Sequence, residues 1–191
     1  MVAAEKARTL GYKTSENRRK LKKRSEMKLF SVLPLFLSIS LCLCLSGCPK
    51  GWTQFKGYCY LVGGSIKTWD QAQEFCKHRG GELVKINSFE ENEFVLKLVN
   101  QCDPPLKQVW IGLRWKPYSK TFLWSDNSIP FFKNWAPHEP NGKASEPCGH
   151  MYTGHRDPIY RPSGSWNDLP CEGVPHLPNG LVCKRLHMVC S

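Results

Sequence analysis

Eight cysteines between Cys48 and Cys190 constrain this chain more than any other feature, because every pair they form closes a loop and removes whole families of topologies. Cys42 and Cys44 bring the total to ten in 191 residues, a content that points to an oxidising compartment. Spacing alone does not choose among the roughly one hundred ways of pairing eight cysteines.

The formal charge of +11 suggests nucleic acid until its distribution is examined. Residues 1–28 carry ten Lys and Arg against three Glu, and the excess over the remainder of the chain is only +4. The basic run Asn17 to Arg24 precedes an uncharged apolar segment, Leu29 to Gly47, and basic residues in that position hold a flank on the cytoplasmic side during insertion. No nucleic-acid partner is expected. The apolar segment is long for a signal-peptide core and just reaches the roughly 17–25 residues that span a bilayer. Three details favour cleavage and secretion. Met27-Lys28 would open a compact signal peptide if translation began at Met27, Cys44, Ser46 and Gly47 supply small residues for processing, and Cys48 begins the folded part without a stalk. The alternative is a signal anchor with the C-terminal part outside the cell. The chain is thus divided into a basic leader or cytoplasmic extension (1–28), an apolar signal or anchor (29–47) and one folded domain (48–191).

Within that domain Tyr58–Val62 alternates as a β-strand, and Val109–Leu113 and Phe122–Trp124 are short apolar strands. Thr68-Trp69-Asp70-Gln71 and Ser88-Phe89-Glu90-Glu91 fit the capping box, in which an N-cap hydroxyl and a Glu or Gln three residues on satisfy orphan N–H groups. The first helix is predicted to end near Arg79, before Gly80-Gly81. The second runs to about Asn100 and buries Phe94, Val95, Leu98 and Val99. Trp110, Trp124, Trp135 and Trp166 are read as core aromatics.

Glu139-Pro140-Asn141 and Trp166-Asn167-Asp168, with Glu146 between them, concentrate carboxylate and amide oxygens in one region. Such hard oxygen donors suit Ca²⁺, which takes six to eight of them and can accept sugar hydroxyls where protein ligands run short. His150, His155 and His176 show no closed zinc set in their spacing. Glu139 and Glu146 could be read as the acid and base of a glycoside hydrolase.

Cys48-Pro49-Lys50-Gly51-Trp52, Gly57-Tyr58-Cys59-Tyr60, Trp69, Phe75-Cys76, Trp110-Ile111-Gly112-Leu113, Glu139-Pro140-Asn141, Trp166-Asn167-Asp168 and Val182-Cys183 occur in an order that resembles a long-form C-type lectin domain over residues 48–186. The resemblance implies an α+β fold with two helices, small antiparallel sheets and a long-loop calcium region. It implies the disulfides Cys48–Cys59, Cys76–Cys183 and Cys148–Cys171. Cys102 and Cys190 fall outside the pattern; an intrachain bridge between them is the reading adopted, and a link between subunits is the alternative. The resemblance further implies one principal Ca²⁺ held by Glu139, Asn141, Glu146, Asn167 and Asp168, the same residues binding sugar, with Pro140 cis. Bound in this way, both glutamates would act as ligands, so no enzyme is expected. The EPN order resembles the branch that binds glycans with equatorial 3,4-diols: mannose, glucose, N-acetylglucosamine or fucose. Weak single-site binding makes a homo-oligomer useful. An auxiliary calcium would need acids where this chain has Pro147 and Arg114-Trp115-Lys116-Pro117-Tyr118, so none is expected there. A domain that binds protein instead of sugar is the other reading. The stretch Thr153–Gly164 is longer than the pattern requires and is read as a solvated loop beside the site, with contact to an extended glycan as the alternative.

Overall fold

A computed structural model describes residues 47–154, 159, 161–173 and 179–188, all within the compact unit Leu45–Ser191. The basic leader and the apolar segment up to Ser46 lie outside the described residues, as do His155, His176 and Cys190. Among the described residues no helix is long and apolar enough to cross a membrane.

Ten elements follow one another: β1 (Thr53–Phe55), β2 (Tyr58–Ile66), α1 (Trp69–His78), β3 (Glu82–Leu83), α2 (Phe89–Val99), β4 (Gln108–Lys116), β5 (Thr121–Trp124), β6 (Cys148–Tyr152), β7 (Trp166–Leu169) and β8 (Asn179–Leu186). The strands join into one network in the order β1-β2-β8-β4-β6-β7, with β3 added to β8 and β5 to β4. Every pairing is antiparallel except β4 with β8, where Val109 and Trp110 lie beside Gly180 and Leu181 in parallel. The expected small antiparallel sheets are therefore fused through one parallel contact. Gly112 makes the central approach possible: its N–H donates to the Val84 carbonyl at 2.9 Å, and a β-carbon there would lie 2.9 Å from the Leu83 carbonyl oxygen.

β4 divides the core, because successive side chains leave a strand on opposite faces. Val109, Ile111 and Leu113 join Val84, Ile86, Val95, Val99, Trp124 and Trp166 in one cluster. Trp110 turns the other way, into a second cluster with Trp69, Leu181 and four disulfide cysteines. Each fully buried large apolar side chain contributes about 1.5–3 kcal/mol relative to exposure, so β4 is the strand on which both halves depend. Trp135 is only half-buried and packs on the rim of the first cluster.

Three disulfides are formed: Cys48–Cys59, Cys76–Cys183 and Cys148–Cys171, with Cα separations of 5.5, 5.3 and 5.1 Å. Cys76–Cys183 joins α1 to β8 across 107 residues, a loop whose closure restricts the unfolded chain by about 4–5 kcal/mol in the chain-entropy view. Cys102 is a free thiol among the described residues. It follows α2 at the edge of a cavity of about 460 Å³ lined by Val62, Pro104, Pro105 and Leu106. The Asp103–Pro104 bond beside it is cis.

The first capping box forms in full: Thr68 Oγ1 accepts from the Gln71 N–H at 3.1 Å, and Gln71 Oε1 accepts from the Thr68 N–H at 3.4 Å. The second forms only in half. Ser88 Oγ accepts from the Glu91 N–H at 3.1 Å, but the Glu91 carboxylate does not return to Ser88. It accepts instead from the Asn87 N–H at 2.8 Å, the Tyr60 hydroxyl at 2.7 Å and Lys184 Nζ at 2.5 Å. A buried ammonium needs a counter-ion, and that demand overrides the local cap.

Candidate functional site

Trp166 assembles the site. Its ring is fully buried and meets Trp124, Phe132 and Trp135 edge-on at centroid distances of 5.7, 5.5 and 6.0 Å, while Nε1 donates to Asn92 Oδ1 at 2.8 Å. Its backbone also grips the incoming chain: the Trp166 N–H donates to the Asn134 carbonyl at 2.7 Å, and the Ala136 N–H donates to the Trp166 carbonyl at 2.8 Å. The segment that carries Glu139 is thereby laid beside β7, which carries Asn167 and Asp168. On the other side β7 pairs with β6, setting Gly149 opposite Asp168 and His150 opposite Asn167. The Cys148–Cys171 bridge closes the base of this pair.

Asp168 clamps the following loop. The N–H groups of Asn141, Gly142 and Lys143 donate to its carboxylate at 3.1, 3.1 and 2.7 Å. The Glu139–Pro140 bond is cis, and Asn141 Nδ2 donates to Glu139 Oε1 at 3.1 Å. Asn167 Nδ2 donates to the Asp168 carbonyl at 2.7 Å. Glu146 folds back over the turn so closely that a β-carbon at Gly142 would collide with its side chain. The five residues singled out from sequence thus come together, together with Gly142 and Lys143, whose backbone contribution no side-chain motif announces.

The electrostatics are those of crowded like charges. Burial, then the hydrogen-bonding contact and charge of Asp168, then the charge of Glu146 push the Glu139 carboxyl up to about 7, against a smaller opposing effect from the Asn141 backbone. Burial and Asp168 also raise Glu146. Glu139 Oε2 is buried without a hydrogen-bond donor among the described residues. It can pair with the Asp168 carboxylate only by holding a proton. A divalent cation would satisfy this orphaned oxygen and relieve the repulsion, and the donor set of three carboxylates and two amides has the chemistry of a hard-cation site. Acids alone do not make a cage: among the described residues no three His, Cys, Asp or Glu side chains converge on one point. Asp168 accepts from three backbone N–H groups, and amide and carbonyl oxygens would complete a coordination shell.

Neighbouring positions carry cations or apolar rings. Arg114 pairs with Asp70 at 2.5 Å and lies 4.9 Å from the Trp69 ring, and the Trp115 N–H donates to the Pro147 carbonyl at 2.8 Å. His150 is buried, and among the described residues neither ring nitrogen has a partner; burial first and the Arg161 charge second hold it down at about 3. Its ring meets Trp110 at 6.3 Å and Tyr152 at 4.7 Å, in a packing role.

The Lectin C-type domain family matches residues 65–185. The human C-type mannose receptor 2 is 34% identical over 140 residues, covering 72% of this chain and 8% of the receptor. The mouse low affinity immunoglobulin epsilon Fc receptor is 38% identical over 140 residues, covering 73% of this chain and 37% of the relative. The chain therefore spans well under half the length of these relatives. The cow C-type carbohydrate-recognition domain of CD23, solved in the presence of a GlcNAc2Man3 oligosaccharide, superposes with a TM-score of 0.62 at 36% identity, covering 76% of this chain and 99% of that one. A calcium-independent type II antifreeze protein superposes almost as well, with a TM-score of 0.60 at 27% identity over 74% of this chain and 95% of that one. An α+β fold stapled by three disulfides, the ordered aromatic and cysteine framework, and a family match over most of the folded domain lead to one assignment: this chain belongs to the C-type lectin domain family.

Proposed function

We propose that this domain is a calcium-dependent lectin, secreted or displayed outside the cell, that recognises mannose-type glycans through equatorial 3,4-diols. The observation that carries the reading is Glu139 Oε2, buried without a donor among the described residues beside the Asp168 carboxylate, in a loop that also presents Asn141 and Glu146 next to the strand bearing Asn167. Glu139, Asn141, Glu146, Asn167 and Asp168 would hold Ca²⁺, which when bound offers coordination positions to a pair of neighbouring sugar hydroxyls. The chain's own contribution is orientation. Asp168 fixes the backbone of the loop, the glutamates accept hydrogen bonds from sugar hydroxyls, and the asparagine amides donate them. Extracellular glycan recognition, of the kind used in innate defence, is the role this chemistry suits, and several linked copies would raise avidity.

Retention on mannose-agarose with release by EDTA tests the reading directly. The double substitution Glu139→Gln with Asn141→Asp exchanges a carboxylate and an amide around the diol and is expected to shift preference from mannose towards galactose while the far-ultraviolet circular dichroism stays unchanged. Mannose selectivity that survives this exchange would contradict the geometry.

The calcium-independent neighbour favours a second reading, in which the same fold binds a partner without the ion. Binding that persists in EDTA would establish it.

Acid should weaken calcium uptake. Glu139 rises from 4.5 in the free side chain to about 7 in the fold, so between those values the native state holds a proton that the unfolded chain has released. That contribution to stability is fully present below 4.5 and is lost as pH rises through 7. Calcium must displace the proton below pH 7, and its apparent affinity should fall about tenfold per pH unit there. Calorimetric titrations at pH 7.5, 6.5 and 5.5 check this, and an affinity constant across that range would refute it.

A further inference from the structure

We infer that Arg161 and Tyr152 form an anion-reading subsite beside the diol site, selecting glycans that carry a carboxylate or sulfate on the sugar next to the bound one. The inference rests on the lectin reading above and adds a substrate class to it. Tyr152 is half-buried at the end of β6, with its ring 4.7 Å from His150, which lies opposite Asn167 in the β6–β7 register. Arg161 is exposed, and its guanidinium carbon lies 5.9 Å from the centre of the Tyr152 ring. The position is built rather than dangling. Just after Arg161, the Ser165 N–H donates to the Pro162 carbonyl at 3.0 Å, Ser163 Oγ donates to the Thr153 carbonyl at 3.2 Å, and the Gly164 N–H donates to the Tyr152 carbonyl at 2.7 Å.

The charge of Arg161 acts on the Tyr152 hydroxyl in the opposite sense to the charges of Glu139, Glu146 and Asp168. Among the described residues no carboxylate forms an ion pair with Arg161. The three site carboxylates oppose an incoming anion only while they are uncompensated. A divalent ion among them would reduce their charge from three to one, which weakens the repulsion of an anion approaching the exposed Arg161. A planar guanidinium can donate two parallel hydrogen bonds to a carboxylate or sulfate. The Tyr152 ring offers a flat apolar surface under the intervening sugar. The stretch read from sequence as a solvated loop thus acquires a recognition role at one of its residues.

The test uses three probes on the oxidised chain in calcium: a neutral mannose-terminated oligosaccharide, the same oligosaccharide with a sulfate on the adjacent sugar, and the same with a uronic acid there. Acidic probes are expected to bind about two- to fivefold more tightly than the neutral one, the size of one exposed ion pair, with the advantage shrinking in added salt. Preference for one acidic probe over the other identifies the oxyanion. Arg161→Gln should abolish the advantage and leave the neutral probe unchanged, while Arg161→Lys should keep part of it. An advantage that persists in Arg161→Gln, or equal binding of all three probes to the parent chain, overturns the subsite. Loss of calcium-dependent binding to the neutral probe in the parent chain overturns the lectin reading itself, and the subsite with it.

Discussion

Asp168→Ala is expected to abolish calcium uptake at concentrations on the order of a millimolar, the extracellular range in which modest sites operate, and to loosen the loop from Asn141 to Glu146. Two separable effects are removed together. The carboxylate supplies a unit of negative charge to the donor set, and it accepts from three consecutive backbone N–H groups at 141, 142 and 143. The second effect is structural. A hydrogen bond to a charged group contributes about 1.5–3 kcal/mol, and water reaching an exposed loop recovers part of that, so a net loss of about 2–3 kcal/mol is the expectation. Asp168→Asn separates the effects. It keeps the volume and one acceptor oxygen, so the loop should tighten again by roughly half of that loss, while calcium affinity stays low because the missing charge is not restored. Calorimetry with calcium, beside thermal unfolding in EDTA, reads the two independently. Undiminished calcium uptake by Asp168→Ala would remove Asp168 from the metal reading, whatever happened to the melting temperature.

The residues that were legible in the sequence share one property: their role follows from type and spacing. Both helices start where a hydroxyl precedes a Glu or Gln by three positions, and Val95 and Val99 are buried as the helical period requires. Trp110, Trp124 and Trp166 are core residues because no surface of this size hides a large aromatic ring elsewhere. The disulfides were legible only through family resemblance, since loop length does not choose a partner. What escaped was set by tertiary contact. Nothing in Ser88 to Glu91 signals that a lysine 93 residues further on will capture the Glu91 carboxylate. The approach of β4 to the Leu83–Val84 segment depends on Gly112, and that of β8 to β2 on Gly180, where a β-carbon would crowd the Leu83 and the Gly63 carbonyl oxygens. In the site, Glu139, Asn141, Glu146, Asn167 and Asp168 were named by side-chain chemistry, whereas the backbone clamp at 141–143 and the proximity of Arg161 to Tyr152 come from how the loops fold onto β6 and β7.

The Glu91–Lys184 pair gives the largest stability prediction. Both side chains are 8% exposed, and the nitrogen and oxygen are 2.5 Å apart. Lys184 also donates to the Lys85 carbonyl at 2.9 Å and lies 4.1 Å from the Tyr58 ring centre. Burial drives the Lys184 ammonium below its ordinary range, and Glu91 opposes the fall by hydrogen bond and charge. Burial, then the hydrogen bond to Glu91, holds the Tyr60 hydroxyl well above the usual phenol range. Removing one partner of such a pair leaves a desolvated charge, which costs about 3–5 kcal/mol. Glu91→Leu should therefore lower the melting temperature by roughly 10 °C or more. Its residual stability should rise with pH towards the ordinary lysine range, because the unfolded chain keeps a proton that the folded one sheds. Adding Lys184→Met to Glu91→Leu should recover most of the loss, since an apolar pair of similar volume avoids both desolvation costs. Denaturant midpoints for the two single variants and the double variant measure the coupling. If the double variant is as unstable as the sum of the singles, the ion pair is not what holds α2 against β8.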